Sequence, residues 1–360
     1  MAERGGTLVQ LLERAAALDR GGVRLLDRRE AETFLPWPEI HRRALAVAGG
    51  LQELGIAPRE RVALVYPTSD EFLAGFFGVL LAGAVPAPLY PPLRLGRLAE
   101  YQRQAARQIR LAGARIVLAD RAVGRVIGEA IAAAEPALGC RTLAELPEAP
   151  ARPVGVGPED LGLLQFSSGT TVEPRPVALT HRAVVAQVRL LNAFWPDTEE
   201  VTHSGVSWLP LYHDMGLIGF LLCALERPAV VTLLPPQAFV ARPALWLRAI
   251  SRYRATVSAA PNFAYALATT RIADEELEGV DLSSWQVALD GAEPISAAVL
   301  RGFAARFAPW GFRREALTPV YGLAEAALAV TFSELGTPFR TRRFARAPLA
   351  EQGRAVIARW

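Results

Sequence analysis

Apolar and polar positions along the chain fall into two alternating patterns. Short apolar runs bounded by Gly, Pro or charged residues read as buried strands, and longer stretches with apolar residues every third or fourth position read as amphipathic helices. Thr7 caps a first helix running through about Leu18, and Val23–Leu26 reads as a short strand. Residues 39–54 have helical spacing and stop at Gly55, a residue suited to a left-handed helix end. Val62–Tyr66 follows as a strand, then a helix opening around Ser69-Asp70, and another strand at Arg115–Ala119. The second half repeats the alternation. Strands are predicted at Leu161–Phe166, Val206–Leu211, Val230–Leu234, Thr256–Ala260 and Gln286–Leu289. Helices are predicted at His181–Phe194, Leu217–Leu225, Ala244–Tyr253 and Ser296–Phe307. Such alternation predicts an α/β fold with parallel sheets covered by helices. No internal repeat interrupts it.

Two segments depart from this rhythm. Residues 72–93 are almost free of charge, but Gly75, Gly78, Gly83 and a run of prolines break them up. A membrane span needs about 18 or more continuous apolar residues, so the run reads as a buried helix followed by an extended loop. Residues 135–158 are rich in Pro, Gly and Ala without periodicity and read as a linker. They divide the chain into an N-terminal α/β unit (1–158) and a second α/β unit (159–334), followed by a short tail (335–360).

Composition narrows the function classes. The 360 residues are 51% hydrophobic, enough to fill a sizeable core. The N-terminus lacks the apolar core and cleavage pattern of a signal peptide, which makes a cytoplasmic protein the expectation. Cys140 and Cys223 lie far apart and fit no metal spacing, and the four histidines are equally scattered. A net charge of +3 argues against nucleic acid as a partner, and the cluster Arg340, Arg342, Arg343 and Arg346 reads as a solvated loop. The chain has no lysine, so all 39 of its basic residues are arginine.

The densest candidate chemistry lies between Gln165 and His181. Ser167, Ser168, Thr170 and Thr171 surround Gly169 after a buried strand. Glycine lets a backbone approach closely, amides point inward, and hydroxyls donate to phosphate oxygens, so the loop can cradle a polyphosphate. An ordinary turn has a similar composition, and no Walker-type Gly-Lys-Ser/Thr follows. Three further segments stand at strand ends, where open α/β sheets place ligands. These are Trp208-Leu-Pro-Leu-Tyr-His-Asp-Met-Gly216, Asp290-Gly-Ala-Glu-Pro294 and Tyr321-Gly-Leu-Ala-Glu325. Each alone is also explained as a cap, a turn or a first-turn carboxylate.

In this order and spacing, the four segments resemble the adenylate-forming superfamily of acyl-CoA synthetases, adenylation domains and luciferases. Gln165-Phe-Ser-Ser-Gly-Thr-Thr171, the unbroken Trp208–Gly219 segment and Tyr90-Pro-Pro-Leu-Arg94 are most similar to its fatty acyl-AMP ligases. The resemblance implies the N-terminal domain of such an enzyme, with two parallel-sheet αβα subdomains, the start of an acyl-AMP ligase-type insertion or third subdomain at 335–360, and without the small C-terminal domain. It implies that Ser167, Ser168, Gly169, Thr170 and Thr171 hold the phosphates of ATP, with Arg175 beside them. Gly291, Ala292 and Glu293 would wall the adenine, and Tyr321, next to Gly322, would stack on it. Glu325, helped by Thr171, would hold Mg²⁺, and His213 would orient the reacting carboxylate at the α-phosphate. The implied activity is ATP-dependent conversion of a medium- or long-chain fatty acid to acyl-AMP with release of pyrophosphate. The implied acceptor is an acyl carrier protein or a polyketide synthase carrier domain. A fatty acyl-CoA ligase and a silent nucleotide-binding module remain alternatives.

The chain departs from the superfamily pattern in two places. Val172, Arg175 and Pro176 replace the usual Gly-x-Pro-Lys-Gly, and Arg is a planar fork rather than a compact ammonium. The lysine that the superfamily carries in its mobile C-terminal domain has no counterpart here, which implies an incomplete active site. Phe220 stands where related sequences often have a small residue, on the helix implied to border the acyl chain.

Overall fold

The computed structural model describes residues 6–92, 97–166, 175–199 and 201–358. Its strands, in chain order, are β1 (Gly22–Leu26), β2 (Glu32–Pro36), β3 (Arg61–Val65), β4 (Val85–Leu89), β5 (Ala114–Ala119), β6 (Cys140–Arg141) and β7 (Leu161–Phe166). They continue with β8 (Pro176–Thr180), β9 (Gly205–Ser207), β10 (Val230–Leu233), β11 (Val257–Ala260), β12 (Val287–Asp290), β13 (Leu317–Leu323) and β14 (Leu328–Phe332). The large sheet has the order β14-β13-β12-β11-β9-β10-β1-β2 and the small sheet β4-β3-β5-β6. The small sheet is wholly parallel. In the large one only β1–β2 and β13–β14 pair antiparallel. This is the parallel α/β architecture that the alternation predicts.

Strand pairing crosses the junction expected near residue 158. The strands β1 and β2 come from the first 36 residues, yet β1 lies parallel to β10 with Gly22 opposite Val230. The helix Leu8–Leu18 travels with them. Thr7 caps it in a reciprocal capping box with Gln10, and Leu8, Leu11, Leu12 and Ala15 face the core at helical spacing. That core is continuous across the second half of the chain, where Trp246, Trp285, Phe303 and Phe312 interlock edge to face.

Several local expectations are corrected. The extended loop predicted after the helix Asp70–Leu81 is the strand β4, Val-Pro-Ala-Pro-Leu. Its prolines are tolerated because β4 is a sheet edge. Val85 donates to the Glu60 carbonyl, and alternation puts Pro86 and Pro88 where the missing N–H would face away from β3. The segment after Arg175 is likewise not loop but β8, paired antiparallel with β7 in a separate two-stranded sheet. The strand at Val206–Leu211 shrinks to Gly205–Ser207, because Pro210 and the turn after it end the ladder.

The linker at 135–158 is pressed against the helix Trp37–Glu53. A Cβ on Gly49 would lie 1.9 Å from the Ala149 carbonyl oxygen, so the glycine pair in that helix exists to let the segment cross. Gln52 then clamps it with both ends of its amide, accepting from the Arg152 N–H at 2.7 Å and donating to its carbonyl at 2.9 Å. Beyond β14 the chain is mostly exposed, including Arg340, Arg342, Arg343 and Arg346. Among the described residues, no helix is long and apolar enough to cross a membrane.

Candidate active site

The strands β9, β12 and β13 are parallel members of one sheet, so the segments that follow or end them emerge on the same edge. A cavity of about 280 Å³ opens there. Its wall includes His213, Ala292, Tyr321, Gly322 and Glu325, five residues that the sequence singled out from three distant segments. The site therefore assembles at the carboxyl ends of parallel strands, as open α/β sheets do.

His213 ends a tight turn that begins at Trp208. Its amide donates to the Pro210 carbonyl, and the helix starting at Asp214 follows immediately. Gly216 makes the turn possible, since a Cβ there would meet the Pro210 carbonyl oxygen at 2.4 Å. The imidazole Nδ1 lies 2.7 Å from Asp214 Oδ1, and the ring remains about one-third exposed toward the cavity. Burial lowers the His213 pKa, but the hydrogen bond and charge of Asp214 outweigh it and leave the pKa above the ordinary value. With Nδ1 engaged by Asp214, Nε2 is the nitrogen left for a ligand.

Tyr321 and Gly322 lie within β13 rather than after it, and the strand turns back as β14. Gly322 faces the Leu328 carbonyl so closely that a Cβ would sit 2.0 Å from it. Tyr321 is 59% exposed, with its ring at the mouth of the cavity. Ala292 adopts a left-handed backbone (φ +69°), a strained state for a residue with a Cβ. Gly291 packs on Val320 of the neighbouring strand, which holds the Asp290–Glu293 turn against β13. Glu293 is turned away, its carboxylate accepting from the Phe263 amide at 2.5 Å.

Glu325 is exposed in a short 3₁₀ turn and lines the cavity. Among the described residues no cluster of three metal-ligating side chains occurs. A single carboxylate suits Mg²⁺, which keeps its waters and takes the rest of its oxygens from phosphates. Ser167, Ser168, Gly169, Thr170 and Thr171 lie outside the described residues. Arg175 is exposed just before β8 and is not part of the cavity wall.

Two features stand out beyond the expected site residues: the first had no role in the sequence, and of the second only Phe220 was singled out. Gln165, at the end of β7, is buried in the cavity wall and donates from Nε2 to the Tyr212 carbonyl at 2.7 Å. It thereby ties the strand that precedes the hydroxyl-rich segment to the His213 turn, and its Oε1 has no partner among the described residues. Tyr212 in turn packs against Tyr90, the residue just after β4, with ring centroids 6.0 Å apart. The second feature is the apolar half of the cavity, formed by Leu191, Trp195, Met215, Phe220, Leu328 and Phe332. Those side chains reach it from separate helices and strands, and no single motif announces them.

Comparisons with known proteins show the family and the fold in which this cavity sits. A Caulobacter vibrioides protein, provisionally named an acyl-CoA synthetase, is 38% identical over 93% of the chain and 58% of its own length. The medium-chain-fatty-acid–[acyl-carrier-protein] ligase JamA of Moorena producens is 33% identical over 98% of the chain and 60% of its length. The chain thus spans a little over half of these relatives. A structure from work on the fatty acyl-adenylate ligases of E. coli and L. pneumophila superposes with TM-score 0.89 at 38% identity, over 97% of this chain and 63% of the other. The L. pneumophila fatty acyl-adenylate ligase in complex with acyl adenylate and pyrophosphate gives TM-score 0.87 at 28% identity, over 99% and 62%. The fold is that of the N-terminal domain of adenylate-forming enzymes, and the family profile described as AMP-binding enzyme matches residues 12–356. By its motifs, its fold and this match, the chain belongs to the AMP-binding enzyme family.

Proposed function

We propose that these 360 residues carry the acid and nucleotide sites of a fatty acyl-AMP ligase. The observation that supports this best is the two-sided cavity. One side is apolar, with Leu191, Trp195, Phe220 and Phe332, and the other presents His213, Ala292, Tyr321 and Glu325. An acyl-adenylate has the same division between alkyl chain and nucleotide, and the L. pneumophila relative was solved with one bound.

In the proposed reaction a fatty carboxylate oxygen attacks the α-phosphorus of ATP. The bond to the β-phosphate breaks, pyrophosphate leaves, and a mixed anhydride remains. Tyr321 offers its exposed face to the adenine, and the Gly291–Ala292 backbone reads the base edge. His213, steadied by Asp214, orients the carboxylate beside the α-phosphate through a hydrogen bond from Nε2. Glu325 holds Mg²⁺, which neutralises phosphate charge when bound. The serine- and threonine-rich segment after Phe166 receives the departing pyrophosphate. Charge that grows on phosphoryl oxygens is best stabilised by fixed donors and cations. No lysine is available for this in the 360 residues, so adenylation by this chain alone is weak. The acyl group then passes to the thiol of a carrier protein, the acceptor in the name of the JamA relative.

The test has two parts. Titration calorimetry with a non-hydrolysable dodecanoyl-adenylate analogue should show binding to the 360-residue chain, and failure to bind it would refute the reading. The complete protein should release pyrophosphate from ATP and Mg²⁺ only when a fatty acid is present. It should then acylate a phosphopantetheinylated carrier protein. Efficient transfer to coenzyme A instead would favour an acyl-CoA ligase, the activity in the name of the Caulobacter relative.

A further inference from the structure

The main cavity does not end in solid core. A second cavity of about 40 Å³ adjoins it, and Trp195, Gly219 and Phe220 line both. The strand β11 shows how the two are aligned. Ala259 touches the main cavity and Val257 the second. Residues two apart in a strand face the same side, so the second cavity continues the first by one pleat, about 6.6 Å, toward the amino ends of the strands. Val257 is also the register partner of Gly205, the first residue of β9.

Phe220 sits at that step. It is buried, and its ring lies directly on Gly205, where an added Cβ would come within 3.0 Å of Phe220 Cδ1. A π-helical turn, Leu217–Leu222, carries the residue. Beyond the ring, the imidazole of His203 and the guanidinium of Arg227 are already engaged. His203 Nδ1 is 2.9 Å from the Thr256 hydroxyl, and Arg227 donates to the Trp195 carbonyl at 3.0 Å and pairs with Asp197 at 3.4 Å. With these groups paired to one another, nothing there calls for a charged headgroup, so the adjoining space suits the end of an alkyl chain.

The geometry points to Phe220 as the floor of the acyl site and the residue that limits acyl chain length. This rests on the acyl-adenylate reading above. Removing the ring joins the two cavities and lengthens the apolar channel by about one pleat, room for roughly five extended methylenes.

The experiment measures binding of acyl-sulfamoyl-adenosines with straight chains from six to eighteen carbons. Calorimetry is run on the wild type and on Phe220→Ala, Phe220→Leu and Phe220→Trp. In the wild type, affinity should rise about fourfold per added methylene until the chain reaches the ring, then fall. Phe220→Ala should move the maximum to longer chains by about four to six carbons, while Phe220→Trp leaves it unchanged or shortens it. Phe220→Leu, a milder core change, should lengthen it partly even if the alanine variant folds poorly. An unchanged maximum in natively folded Phe220→Leu and Phe220→Ala overturns the inference and leaves the enzyme reading intact. Absence of binding at every chain length in the wild type overturns both.

Discussion

His181 makes the stability of this fold depend on pH in a way that can be calculated and removed. It is the first residue of the helix His181–Phe194, directly after β8, and it is 1% exposed. Its Nδ1 accepts from the Leu8 amide at 3.2 Å, which fastens the start of the N-terminal helix. The ring covers Gly162, where even a Cβ would stand 2.7 Å from Nδ1. A protonated Nδ1 would face the Leu8 N–H donor to donor, with no other acceptor at that atom. Burial drives the pKa from 6.5 to about 4, against partial opposition from the Asp160 charge.

The sign follows from proton binding. Below pH 6.5 the unfolded chain takes up a proton that the folded chain refuses until about pH 4. Stability from this group is therefore intact above 6.5 and declines as the pH falls toward 4. At about 1.4 kcal/mol per pH unit, the full decline is about 3 kcal/mol. Urea unfolding at several pH values from 7.5 to 4, for wild type and His181→Gln, measures it. Glutamine keeps an acceptor for Leu8 but does not titrate. Their difference in unfolding free energy should drift by up to about 3 kcal/mol toward the variant as pH falls. Parallel curves would show that the imidazole is not held neutral and would refute the argument.

Asp290 should give the opposite slope. Burial raises its carboxyl to about 7, Oδ1 has no partner among the described residues, and Asn262 donates to Oδ2 at 2.7 Å. The folded state keeps a proton that the unfolded state loses above 3.8, so stability falls as pH rises from about 4 through 7. Asp290→Asn should therefore gain on the wild type by up to about 4 kcal/mol across that window in the same titration, and an equal pH dependence would count against it. Tyr321→Ala, at an exposed position, should leave the unfolding free energy within about 0.5 kcal/mol. It should nevertheless weaken calorimetric binding of an acyl-adenylate analogue by about 5- to 150-fold, the equivalent of one lost base–aromatic stack.

What the sequence made legible was local. Thr7 as a cap, Ser69 before its helix and the stop at Gly55 are read from a few adjacent residues, and each stands where expected. The misreadings share one cause, because the deciding interaction lies far away in the chain. The edge position that admits Pro86 and Pro88 depends on where β3 lies, and the pairing of β1 with β10 spans about two hundred residues. The segment 135–158 looks like a linker because its partners, Gly49, Gly50 and Gln52, sit within an ordinary helical pattern. Gly49-Gly50 was the available signal, since two glycines in a helix interior are costly unless something must pass close by.

The candidate site was more legible than the fold around it, and the sheet order explains why. The strands β13, β12, β11 and β9 are successive neighbours and run parallel, so their carboxyl ends form one edge. Segments more than a hundred residues apart are thus forced together without any signal linking them. Each can be written into the sequence as a compact motif, because the sheet performs the assembly. The apolar half has no such advantage. Its side chains project from the faces of elements whose packing, not their ends, brings them together, so Leu191 and Trp195 look like any other core residues and Phe220 stands out only through the resemblance. Nucleotide chemistry is therefore readable from strand-end motifs. Acyl specificity is not, because it depends on which buried rings happen to border empty space.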